Sequence, residues 1–132
     1  PDDVQDRALA AQWMDWAQTI LLPAALDLFW AGVRMPKEKQ SAAFVDRALK
    51  RTIAALTLLD KELSTHDHLV GDSFTLADIP AGTCLFRFFE MKGIERPDLP
   101  HVSAWYELLK DRPAYQQAVM VPFDELVGKE SF

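Results

Sequence analysis

Strand-forming runs are missing from this 132-residue chain, and so is any surplus of positive charge. No stretch alternates apolar and polar residues through β-branched positions between turn residues, as a half-buried strand would, so the fold is expected to be all-α. With 14 Lys and Arg against 20 Asp and Glu and a pI near 4.9, no basic face is available to neutralise phosphates. Nucleic acid is therefore excluded as a partner. The one cysteine, Cys84, has no internal partner for a disulfide, and no basic, apolar leader precedes the first helical segment, so a reducing, cytoplasmic setting is expected. Asp15, Gln18 and Asp27 interrupt the longest apolar stretches. None is expected to supply the roughly 20 apolar residues that cross a bilayer, and no membrane partner is expected.

What is present is helix-forming and apolar enough to fold. Hydrophobic residues make up 49% and charged residues 26% of the chain, far from the composition of disorder, and the length suits one domain with one core. Residues 3–35 are dense in Ala, Leu, Met, Gln and Trp and read as a single helix, roughly 50 Å long at about 1.5 Å per residue. Pro23 is expected to bend it, because a mid-helix proline removes a donor and crowds the preceding turn. After "MPKEKQS", with its solvated "KEK", residues 37–65 repeat the helical spacing through Phe44, Ala48, Leu49, Ile53, Leu56 and Leu59. Further helices are expected over 76–92, 99–110 and 113–119, with Pro113 suited to a first turn. Residues 121–132, "VPFDELVGKESF", carry few signals and are expected to form an irregular, partly mobile tail.

The most informative stretch is "GDSFTLADIPAG". With Thr75 at the N-cap, Asp78 falls at the third helical position, so the hydroxyl can accept from the Asp78 amide while the carboxylate reaches back to the Thr75 amide. Phe74 and Ile79 have the spacing of a hydrophobic staple across that start. The reading is structural: Phe74, Thr75, Asp78 and Ile79 set where a helix begins, and Asp78 is assigned no catalytic role. Pro80 lies one turn inside and is expected to bend the helix and leave a carbonyl near Leu76 without its usual donor.

"GDSFTLADIPAG" resembles the start of the capped central helix in the C-terminal domain of cytosolic glutathione transferases. "RPDLPHVSAWYELLKDRPAYQQAV" is similar to that domain's closing stretch, and "RALAAQWMDWAQTILLPAALDLFWAGVRMP" resembles its long first helix in bacterial, theta-like and phi-like members. The resemblance implies a bundle of about five helices over residues 1–120, two long antiparallel helices first and the capped helix third. It also implies a missing N-terminal thioredoxin-like domain, which would bind glutathione as co-substrate and carry the thiol-activating residue, since a thiol needs help to ionise at neutral pH. This domain alone would then hold no catalytic residue and no cofactor. Its implied partners are its own N-terminal domain, a second copy in a homodimer, and a hydrophobic small-molecule electrophile. By the same resemblance the electrophile wall is placed on Trp16, Thr19, Leu22, Pro23, Leu26 and Trp30. Helical spacing alone favours reading the stripe as core over ligand wall, with Trp13 and Phe29 inward, and one residue of rotation would exchange the two sets. A non-catalytic interaction domain of the translation-factor type is the alternative, and a stand-alone bundle binding an apolar ligand is a third.

Other candidate chemistry is set aside on context. His66, Asp67, His68 and Asp72 could in principle ligate a divalent metal, but they fall in a connection between helices, and no metal is assigned. Cys84 sits in an apolar helical stretch and reads as a small core residue. Tyr106 and Tyr115 read as packing residues whose hydroxyls reach the surface, and His101 suggests nothing catalytic.

Overall fold

The computed structural model describes residues 1–131, so Phe132 of the expected tail lies outside the described residues. Asp3 caps the first helix, its carboxylate accepting from the Gln5 and Asp6 amides at 2.8 and 3.1 Å. From there α1 runs without interruption over Val4–Arg34. It is an α-helix broken by two wider turns with i to i+5 bonding, Ala17–Leu21 and Trp30–Arg34. The Leu22 amide donates to the Ala17 carbonyl and the Met35 amide to the Trp30 carbonyl. Pro23 stands two positions after the first wide turn, and a widened turn just before a proline relieves the crowding that its ring causes in a regular helix.

The "KEK" segment is not part of the second helix. Lys37–Lys39 forms a 3-10 turn between the extended Pro36 and Gln40, and Ser41 then caps α2, Ala42–Glu62, by accepting from the Phe44 amide at 3.3 Å. Helices α1 and α2 lie antiparallel. Gln12 neighbours Glu62, Trp16 and Ile20 neighbour Leu58 and Ala54, and Asp27 bonds Arg51 at 2.9 Å, so numbers fall along α2 as they rise along α1.

The expected third helix is two short ones, α3 (Asp78–Gly82) and α4 (Leu85–Glu90). The carbonyl near Leu76 is not left unpaired, because it accepts from the Ile79 amide at 3.4 Å. The break comes one turn later. The Gly82 carbonyl accepts from the Tyr115 hydroxyl at 2.7 Å, and the Pro80 carbonyl accepts from the Thr83 hydroxyl at 2.8 Å. Tyr115 thus inserts its hydroxyl into the helix instead of reaching the surface, and it is 8% exposed. A Cβ on Gly82 would lie 2.8 Å from a methyl of buried Leu109, so glycine also provides the close approach. The bend that follows Pro80 accommodates Tyr115.

α5 (Pro100–Lys110) and α6 (Pro113–Ala118) complete the bundle. Leu99 and Pro100 supply no capping side chain, and Asp60 of α2 does so from across the fold, accepting from the His101 and Val102 amides at 2.9 and 2.8 Å. The core is one cluster in which Leu21, Leu28, Leu56, Leu59, Leu85, Val102, Trp105 and Leu109 are each at most 1% exposed. Among the described residues there is no strand.

Two further expectations meet different structure. α1 is long and apolar enough to cross a membrane by length and composition, despite Asp15 and Asp27. In the bundle that apolar character is used for packing, with Ala17, Leu21, Ala24 and Leu28 buried. The tail forms one 3-10 turn, Asp124–Leu126, and is tied back to α1. The Gly128 amide donates to the Val33 carbonyl at 2.8 Å, Arg34 donates to the Lys129 and Ser131 carbonyls, and Phe123 packs edge-on against Phe29.

Candidate functional site

The Asp78 carboxylate is a completely buried acceptor for five donors. One oxygen takes the Thr75 amide at 2.7 Å and the Thr75 hydroxyl at 3.3 Å. The other takes the Leu69 amide at 3.1 Å, Trp105 Nε1 at 3.1 Å and His68 Nδ1 at 3.3 Å. The reach back to Thr75 is the one the spacing suggests. The hydroxyl, however, accepts from the Ala77 amide at 3.2 Å, while the Asp78 amide donates to the Thr75 carbonyl, because residues 75–79 open as a tight i to i+3 turn. Phe74 lies under the Arg112 guanidinium at 3.6 Å and edge-on to His68, and Ile79 is 46% exposed. The whole arrangement ties three segments together around one carboxylate and leaves none of its lone pairs for chemistry.

The six α1 residues expected to form one wall fall on two faces. Trp16 and Thr19 border a shallow groove against Arg51, Ala54 and Leu58 of α2. Leu22 and Leu26 border a different cavity on the other side, together with Phe29. Pro23 and Trp30 are half-buried, and the Arg34 guanidinium sits 4.7 Å over the Trp30 ring. The wide turn at Ala17–Leu21 separates the two sets. Each such turn inserts one residue into a 3.6-residue repeat, which rotates everything after it by about 100°.

The second cavity, of about 210 Å³, lies where α1, α2, α4 and the end of α6 meet. Leu22, Ala25, Leu26 and Phe29 form one side, Thr52 its floor, and Phe88, Met91 and Val119 the other side. Thr52, Thr83, Cys84 and Arg87 are its polar residues, the two hydroxyls donating to the Ala48 and Pro80 carbonyls, and no Asp or Glu lines it. The Cys84 thiol is 3.8 Å from the Pro80 carbonyl, to which it donates. Burial pushes the thiol up from 9.0 to about 11, against smaller opposing effects of the Thr83 hydroxyl and the Arg87 charge. Cys84 is thus a protonated wall residue at neutral pH, with no nucleophilic role there.

That shift makes stability fall with alkali. In the unfolded chain the thiol ionises near pH 9.0, but in the fold only near 11, so between those values the unfolded state holds fewer protons and gains relative to the native state. Cys84→Ser is expected to remove roughly 2 kcal/mol of that decline. Urea midpoints of both proteins at pH 8 and pH 10.5 measure it, and parallel pH dependence would refute it.

The metal candidates are dispersed. His66 Nδ1 stands 3.8 Å from Asp72 with both side chains exposed, whereas His68 turns inward to Asp78. Among the described residues no three His, Cys, Asp or Glu are placed to share an ion. Sequence reasoning missed Arg87, Thr52 and Met91 as cavity residues, since Arg87 and Met91 sit on α4 and its C-cap while Thr52 is on α2, and their meeting is not a local property of the chain. It read Cys84 as core, and the buried thiol is that and a cavity wall together.

Residues 10–113 match the family model described as glutathione S-transferase, C-terminal domain. Glutathione S-transferase GstB of Escherichia coli strain K12 is 34% identical over 121 residues, which are 92% of this chain and 58% of that protein. The theta class glutathione S-transferase of Xanthomonas axonopodis pv. citri, solved in apo form and with glutathione bound, aligns with a TM-score of 0.88 at 40% identity, over 92% of this chain and 64% of that one. This chain therefore spans 58% and 64% of the two relatives' lengths. The agreement in helix order and the match over most of its residues place the chain in the glutathione S-transferase family, as a C-terminal helical domain.

Proposed function

We propose that this chain is the electrophile-binding half of a glutathione-conjugating enzyme. A thioredoxin-like half would hold glutathione and activate its thiol. The observation that carries the reading is the apolar cavity walled by Leu22, Leu26 and Phe29, because a weakly polar compound gains by leaving water there. Of the six residues expected in the wall, Leu22 and Leu26 line this cavity, whereas Trp16 and Thr19 border the groove on the other side.

That groove supports the second proposed partnership, a homodimer. Ile20 and Leu58 are 51% and 50% exposed on neighbouring helices beside half-buried Trp16, which suits an isologous contact. A lone buried cysteine suits a reducing cytoplasm. The relatives compared are glutathione S-transferases, and nothing in them supports the translation-factor alternative.

The test is binding without turnover. Saturation transfer from the chain's methyl groups to chlorodinitrobenzene is expected, with loss of transfer in Ala25→Phe, which fills the cavity, and with glutathione added the thioether is expected to form no faster than the uncatalysed reaction without the chain. Equal transfer in Ala25→Phe would remove the cavity as the site. Conjugation by the chain alone would overturn the division of labour between the two halves.

A further inference from the structure

Arg87 gives the cavity a charge that a purely hydrophobic ligand would not use. Its guanidinium lies 4.5 Å over the Phe29 ring, on the cavity wall, and among the described residues it has no ion pair or hydrogen bond. The ring contact fixes the fork against one side while its N–H donors stay unsatisfied by protein. With no carboxylate on the lining and the Cys84 thiol held neutral by burial, the cavity's formal charge is that of Arg87. Its volume of about 210 Å³ is below the 300–1,000 Å³ of sites that enclose drug-sized ligands, so it suits a small aromatic ligand such as one ring with small substituents.

We propose that the cavity selects single-ring electrophiles that carry an anionic group, the ring lying between Leu26, Phe88 and Met91 and the anion on Arg87. The inference rests on the cavity being the electrophile site and adds the ligand's charge and size. A planar carboxylate matches the guanidinium fork, and a neutral isostere leaves the fork unpaired. Cys84 favours such an occupant as well: a protonated thiol does not consume an electrophile stored against it.

The experiment follows the methionine methyl signals of the chain, labelled with carbon-13, during titration with a chloronitrobenzoate and with the corresponding chloronitrobenzamide. Met91 lines the cavity and reports occupancy at the site itself. The benzoate is expected to move the Met91 signal with up to about fivefold higher affinity than the amide, the upper end of what one pair to a solvent-exposed guanidinium supplies. Arg87→Gln should bring the benzoate down to the amide's affinity and leave the amide unchanged, and Arg87→Lys should keep part of the preference. Arg87 is exposed, so both variants are expected to fold. Equal affinities in the unsubstituted chain, or a preference that survives Arg87→Gln, would overturn the charge selection and leave the cavity as a site. Failure of both probes to move Met91 would overturn the site and the selection together.

Discussion

Asp78→Ala is expected to lower the unfolding free energy by about 3–5 kcal/mol, far more than the 0.5–2 kcal/mol of a lost N-cap. The larger figure follows from what remains behind. The Leu69 amide, the Thr75 amide and Trp105 Nε1 all point at the carboxylate, and Asp78 itself is 0% exposed, so water has no direct route to replace it. Each stranded donor costs about 1–3 kcal/mol. Asp78→Asn separates shape from chemistry. It preserves volume but places an amide N–H₂ where an oxygen accepted, so donor faces donor, and it is expected to recover little. Urea unfolding at neutral pH, read by far-ultraviolet circular dichroism, gives both values. A loss under 2 kcal/mol for Asp78→Ala would reduce Asp78 to a helix cap.

The same residue shows how far local sequence carries. The spacing of Thr75 and Asp78 marks a helix start because capping acts between neighbours in the chain. Nothing in that spacing announces Leu69, whose amide comes from the preceding connection, or Trp105, which reaches Asp78 only once α5 has docked. The helix order and the all-α class are legible for the same reason, since periodicity and turn residues are local. Splitting of the central helix was not legible, because it depends on Tyr115 offering its hydroxyl to Gly82 from 33 positions away. Nor was the division of the α1 stripe. A 3.6-residue repeat places Trp16, Thr19, Leu26 and Trp30 together, and one added residue in Ala17–Leu21 moves the later ones to another side. Pro23 signalled a disturbance at the right place, but not that the helix would widen instead of kink. The cavity was accordingly out of reach: Leu22 and Leu26 face Arg87 and Met91 only after that rotation.

Deleting Gln18 is expected to cost about 3 kcal/mol, and Pro23→Ala in the deleted chain to restore most of it. Gln18 lies in the wide turn, where one residue is surplus to α-helical register. Removing it lets residues 17–21 close to ordinary i to i+4 bonding while Leu22, Leu26 and Phe29 keep their orientation, so core and cavity alike retain their walls. What the shortened turn no longer holds is the proline ring. Four residues back from Pro23 the Thr19 carbonyl would meet it, with no amide to accept from. Alanine at that position removes the clash and supplies the donor. In the unshortened chain Pro23→Ala is expected to change stability by less than 1 kcal/mol, since the faces on either side of the turn still require the extra residue. Stability of the four proteins by urea unfolding, with the Met91 methyl shift as a check on the cavity, forms a complete cycle. If the deleted chain is equally unstable with proline or alanine at 23, the wide turn serves the packing of α1 on α2 and not the proline.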